Sequence, residues 1–221
     1  MSRPRIALIH ATPVAIDPIR DALAAGWPDA EPVNILDDSL SLDRAATDDL
    51  TEALTERIVS LARYARRSGA DGVLFTCSAF GPAIERAAGA LDIPVLKPNE
   101  AMFEAALERG ANIGMIATFQ PAKASMEAEF AEEARRVAPG ARLTTRVVEP
   151  AMTALRAGDA ATHNRLVAAA ATGMPAFDAI VLAHFSTARA AQAVRAVTDV
   201  PVLTSPDAAV AKLKRLIAAA G

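Results

Sequence analysis

The residues with the widest chemical reach are few: one cysteine and three histidines in 221 residues. Cys77 stands in Thr76-Cys77-Ser78 and His184 in Ala183-His184-Phe185-Ser186-Thr187, each directly after an apolar run. A thiolate is a nucleophile and a base toward carbon acids, and an imidazole with an ordinary pKa near 6.5 exchanges protons at neutral pH. His10 closes another apolar run, Ile6-Ala-Leu-Ile9. The hydroxyls of Thr12, Ser78, Thr118, Ser186 and Thr187 stand beside such run ends. With neighbouring backbone N–H groups, short hydroxyls of this kind cradle a carboxylate or an enolate oxygen. Each residue also has a purely structural reading. The thiol can fill core space, His184 can line an idle cleft (its second functional reading being a ligand for a substrate carboxylate), His10 can be satisfied at a strand end, and the hydroxyls can be helix caps. His163 lies in a polar helical stretch, 160–166, and is expected at the surface.

Several other chemistries are missing. Asp37, Asp38, Asp43, Asp48 and Asp49 have no ligand-like spacing with histidine and read as a solvated loop and helix start. A lone cysteine supports neither a disulfide framework nor a cysteine-based metal cluster within one chain. No glycine-rich phosphate loop and no nucleophile-elbow serine occurs, so nucleotide cofactors are not expected.

Short apolar runs alternating with helical stretches must position these residues, the pattern of βα units around a parallel sheet. Strands are expected at 5–10, 32–36, 71–76, 93–96, 112–117, 142–148, 178–183 and 200–203. Asp17-Pro18 reads as a helix start closed by Gly26, and Leu50, Leu54, Ile58 and Leu61 make an apolar helical stripe ending before Gly69. Pro82 opens a helix after the third strand, and Asn99 reads as a cap with Glu100 complementing the helix dipole. Ser205-Pro206-Asp207 caps a last helix that turns Val210, Leu213 and Leu216 inward.

The chain also repeats itself. An offset of 107 residues lays Asp71-Gly-Val-Leu-Phe-Thr-Cys77 on Asp178-Ala-Ile-Val-Leu-Ala-His184, and Asp92-Ile-Pro-Val-Leu96 on Asp199-Val-Pro-Val-Leu203. The same ungapped offset pairs Ile6–Ile9 with Ile113–Ile116. The implied architecture is two pseudo-symmetric, doubly wound α/β lobes, each a four-stranded, mostly parallel sheet flanked by helices. The first lobe would take residues 1–98 plus 206–221 and the second 99–205. Ligands of open parallel sheets bind beyond the C-terminal strand ends, so the repeat sets Cys77 and His184 at equivalent places and expects them on opposite walls of a cleft between the lobes.

At this point the sequence resembles the aspartate/glutamate racemase superfamily, which includes hydantoin racemases, maleate isomerase and arylmalonate decarboxylase. The resemblance rests on the duplicated lobes, on Thr76-Cys77-Ser78 and on the matching position after Ile180-Val-Leu-Ala183, and it covers nearly the whole chain. It implies a cofactor-independent isomerase acting on a small carboxylate, amino acid or hydantoin-like substrate. Cys77 and His184 would be catalytic, His10, Thr12, Ser78, Thr118, Ser186 and Thr187 would bind substrate, and no metal is implied. Racemases of this kind carry two cysteines, whereas here the second position holds His184. A one-cysteine lyase and a ligand-binding protein that has lost the chemistry are the alternatives. A dimer or higher homo-oligomer is also implied by the resemblance.

Composition fits this picture. Hydrophobic residues make up 52%, charged residues 22%, and the formal net charge is -3 with a pI near 5.7. Nothing in that balance points to nucleic acid or a membrane surface as a partner. Roughly a quarter of the residues are alanine, a strong helix former that allows close helix–sheet packing. The apolar run near the start is too short for a signal peptide or a membrane span, and a cytoplasmic location is expected. Phe80, Phe119 and Phe185 are expected either to wall the site or to plug the core.

Overall fold

A computed structural model describes residues 3–47 and 49–220, Ala220 by its backbone alone. In it the chain divides into two compact units, Met1–Pro98 with Ala209–Gly221, and Asn99–Ala208.

The first unit contains β1 (Arg5–His10), α1 (Ile16–Gly26), β2 (Glu31–Leu36), α2 (Ser39–Ala45), α3 (Glu52–Arg67), β3 (Gly72–Phe75), α4 (Gly81–Gly89) and β4 (Val95–Leu96). The second contains α5 (Glu100–Leu107), β5 (Asn112–Ala117), α6 (Lys123–Val137), β6 (Arg142–Val147), α7 (Glu149–Arg156), α8 (Ala160–Thr172), β7 (Ala179–Leu182), α9 (His184–Thr187), α10 (Ala191–Arg195) and β8 (Val202–Thr204). Helix α11 (Ser205–Ala220) begins in the second unit and runs on into the first. The sheet orders are β2-β1-β3-β4 and β6-β5-β7-β8, and every pairing is parallel. The fold is therefore the expected pair of four-stranded α/β lobes.

The repeat holds to the residue. Ile6 pairs with Gly72 in one sheet and Ile113 with Ala179 in the other, both displaced by 107 positions. Asp71 accepts a hydrogen bond from the Arg5 backbone N–H at 2.7 Å, and Asp178 accepts one from Asn112 at 2.8 Å. The edge strands break the offset: β2 starts at Glu31 and β6 at Arg142, because α6 is four residues longer than α1. Gly110, at φ +158°, precedes the second clamp, and a Cβ there would stand 2.2 Å from the Asp178 carboxyl carbon.

The inner strands are buried on both faces, which explains their unbroken apolar runs. The first core joins Ile9, Val73 and Phe75 to Leu54, Ile58 and Ala62 of α3 and to Ile84 of α4. Two apolar clusters flank the second sheet, one centred on Met102, Met115 and Phe130, the other on Ile116, Val167, Ile180 and Val194. Burying each such large side chain contributes about 1.5–3 kcal/mol. Leu213 and Ile217 of α11 press on Gly72, where a Cβ would stand 3.0 Å from Ile217.

Several local expectations are corrected. Helix α1 begins at Ile16, after a 3-10 turn at Pro13–Ala15, so Asp17 is not a cap but lies in the first turn, paired with Arg20 at 2.7 Å. Thr204, not Ser205, caps α11 by accepting from the Asp207 N–H at 3.3 Å. Ser205 is buried and donates instead to Asn99 Oδ1 at 2.8 Å. Asn99 sits at the cap position of α5, but its amide serves this contact and Glu129, at 2.8 Å, rather than the helix end. Leu216 is 39% exposed, because only Val210 and Leu213 of that stripe reach the core. The Asp37 and Asp43 carboxylates are not merely solvated; both hold Arg57, at 2.5 and 2.6 Å, while Asp48 lies outside the described residues. No helix among the described residues is long and apolar enough to cross a membrane.

Candidate active site

The C-terminal edge of the first sheet is built on His10. Its side chain is fully buried, with Nδ1 2.9 Å from Thr76 Oγ1 and Nε2 2.9 Å from Asn34 Oδ1. A neutral ring satisfies both contacts when Nε2–H donates to Asn34 and the Thr76 hydroxyl donates to Nδ1. The other contact of that hydroxyl, to Ile9 O, is longer at 3.3 Å. Burial favours the neutral ring and lowers the His10 pKa from 6.5, while the bond to Asn34 opposes that shift. The network ties β1 and β2 to Thr76, the residue between the end of β3 and Cys77. Both His10 ring nitrogens are thus engaged within the lobe, one of them by the residue that precedes Cys77.

Cys77 is half-buried and extended, and a 3-10 turn at Ser78–Phe80 follows it before α4 begins at Gly81. Ser78 is half-buried, Ala79 is exposed and Phe80 is buried in the core. Arg44 of α2 donates to the carbonyls of Thr47, at 2.8 Å, and Ala79, at 3.3 Å, tethering α2 to the turn after the thiol. Thr12 is half-buried at the start of the turn that follows β1, and its side chain caps nothing there.

The corresponding edge of the second sheet differs. Ala117 and Ala183 stand at the positions equivalent to His10 and Thr76, and one residue beyond the strand Thr118 is buried with Thr187, their hydroxyls 3.3 Å apart. His184 follows β7 as Cys77 follows β3, and its φ is +66°. That left-handed conformation is costly for a residue with a Cβ. The His184 Nε2 is buried with no hydrogen-bond partner among the described residues. Burial alone lowers its pKa from 6.5. Strain and an unsatisfied lone pair on one residue are the marks of a group held ready for something other than its own fold. Ser186 is half-buried and Phe185 is in the core, whereas Phe119 is 38% exposed with Arg156 5.6 Å from its ring centre.

Asn34 and Arg44 escaped the sequence reading. Asn34 left a visible trace, as the one polar side chain inside Pro32-Val-Asn-Ile-Leu36. Arg44 left none. His163 is not a surface residue: it is fully buried, because the α8 face it shares with Val167 and Ala171 packs into the second lobe. Among the described residues no group of three or more His, Cys, Asp and Glu side chains is placed to hold a metal ion.

A family model described as Asp/Glu/Hydantoin racemase matches residues 10–176. The chain belongs to that family. Among solved structures it is similar to allantoin racemase from Klebsiella pneumoniae, with a TM-score of 0.73 and 20% identity over 98% of this chain and 89% of the other. It is also similar to unliganded arylmalonate decarboxylase, with a TM-score of 0.71 and 22% identity over 99% and 94%. Picrophilus torridus aspartate racemase gives 0.69 and 15% over 97% and 94%. At these identities the likeness establishes the shared fold. No curated protein matches the chain by sequence.

Proposed function

We propose that this family member is a cofactor-independent isomerase that moves a proton at the carbon beside a carboxylate or amide carbonyl of a small amino-acid or hydantoin-like substrate. Cys77 and His184 form its acid–base pair, one acting on each face of that carbon. The observation that carries this reading is the equivalence of the two residues by strand register, together with the strained backbone and unpartnered Nε2 of His184.

With its pKa lowered, His184 rests neutral and is the base of the first half-reaction, and the Cys77 thiol is the acid. Nε2 takes the proton as the carbon becomes an enediolate, and the thiol returns a proton to the opposite face. The imidazolium and thiolate left behind are the reactants of the reverse reaction, so the cycle balances without an external base. Ser78, Ser186 and nearby backbone N–H groups would hold the enediolate oxygens, with Thr12 at the rim. His10, Thr118 and Thr187, being buried, would support the strand ends from beneath.

A single thiol also fits a lyase, in which loss of CO2 replaces proton removal and one acid protonates the product. Proton NMR in D2O of amino acids, hydantoins and aryl- or alkylmalonates, with wild type, Cys77→Ala and His184→Gln, separates the readings. Loss of an α-proton signal that requires both residues is the expected result. CO2 release from a malonate that requires only Cys77 supports the lyase. Silence across the panel overturns both.

A further inference from the structure

We propose that His163 is a positioning residue for His184: a neutral imidazole sealed behind the turn that carries His184, whose protonation releases that turn. Its ring is fully buried on α8, Nδ1–H donates to Asn164 Oδ1 at 2.8 Å, and Nε2 is buried with no partner among the described residues. His163, Val167 and Ala171 recur at four-residue spacing, so they share one helical face. Helix α8 packs on α7, α10 and β5 and on the 3-10 turn Ala188–Ala190, which directly continues α9 from His184. Ala190 and Ala191 lie in the same apolar cluster as Val167 and Ala171.

Charge decides what a proton would do here. Helix α8 itself carries Arg165 and the cap Asp159, and the elements packed on it carry Glu149 and Arg156 on α7, Arg189 in the turn, Arg195 on α10 and Arg146 on β6, which donates to the Ala170 carbonyl at 2.7 Å, while β5 carries no charge. Of these only the Arg189 cation bears on the ring, and it disfavours a second positive charge, as burial does. A protonated Nε2 would be a buried donor without an acceptor, and the Arg189 charge would oppose its own. Of the contacts α8 makes, the one with the turn brings the Arg189 charge to bear on the ring, and in this proposal it is the contact that opens to hydrate Nε2 and lets the left-handed backbone at His184 relax.

The link to catalysis rests on the function proposed above; the packing argument does not. Hydrogen exchange of wild type, corrected for intrinsic rates, is expected to show peptides 184–195 losing protection as pH falls below 6.5. The loss should approach about a hundredfold per pH unit, because the opening frees both buried imidazoles, His163 and His184. His163→Phe, which cannot take its proton, is expected to lose only about tenfold per pH unit, the part that His184 contributes. If that variant does not fold, His163→Gln and NMR titration of the three wild-type imidazoles replace it. Acid-independent protection of 184–195 in wild type, the same acid loss in a folded His163 variant, or an imidazole titrating at 6.5 without loss of protection overturns the proposal. Where turnover is detected, the acid limb of kcat should move to lower pH in the variant with KM unchanged. An inert wild type speaks against the function and leaves the exchange result to judge His163.

Discussion

His184 is the one non-glycine residue with a positive φ among those described, and the sequence around it offers neither the glycine nor the asparagine that usually takes that conformation. The strain predicts a reversal of the ordinary ranking: His184→Gly should be more stable than His184→Ala by about 1 kcal/mol in chemical denaturation, since only alanine keeps the Cβ penalty. Thr76→Val removes the donor to His10 Nδ1 inside the lobe and is expected to cost about 1–3 kcal/mol. All three histidines have pKa values lowered from 6.5 by burial. Each binds its proton less tightly folded than unfolded. Stability is thus full at neutral and alkaline pH and falls as pH drops below 6.5 toward the lowered folded values. A denaturation series from pH 8 to 5 checks this, and a flat profile contradicts it. At this scale the sequence named candidate residues but not how they are held, because a dihedral angle and an unpartnered ring nitrogen leave no pattern in composition or spacing.

Strands and helices were more legible, because burial and pairing impose periodic signals. β1 and β5 were readable to the residue as continuous apolar runs, while β4 shrank to two residues and α1 started one residue before Asp17. The caps misled because Ser205 and Asn99 found better partners in each other than in their helix ends, a tertiary choice that local propensity cannot foresee. The matched aspartates make a prediction that belongs to this scale. Asp71→Asn and Asp178→Asn each weaken the same bond to the first residue of a strand, so both should cost about 1 kcal/mol and agree with one another. Gly110→Ala should cost more than either, since its Cβ would enter the space of the Asp178 carboxyl group. Thermal unfolding of the three variants tests the ranking.

For the whole molecule, the duplication was the most informative single signal, because three ungapped alignments fix topology and equivalence at once. It showed that Cys77 and His184 correspond, and it hid His163, whose polar neighbours masked a buried face. From Ala209 on, helix α11 belongs to the first unit although it follows the second in sequence. Leu213→Ala should therefore cost about 2–5 kcal/mol and loosen amide exchange in β1 and β3 while sparing β5 and β7.

The same helix sets an order of events. Residues 99–208 of the second unit are contiguous, so that unit holds everything it needs once Ala208 has been made. The first unit, though begun earlier, keeps the face of β3 around Gly72 uncovered until Leu213 and Ile217 arrive. During synthesis the half that is started first is the half that is finished last, and through that interval its apolar sheet face stands open to chaperones or to wrong partners.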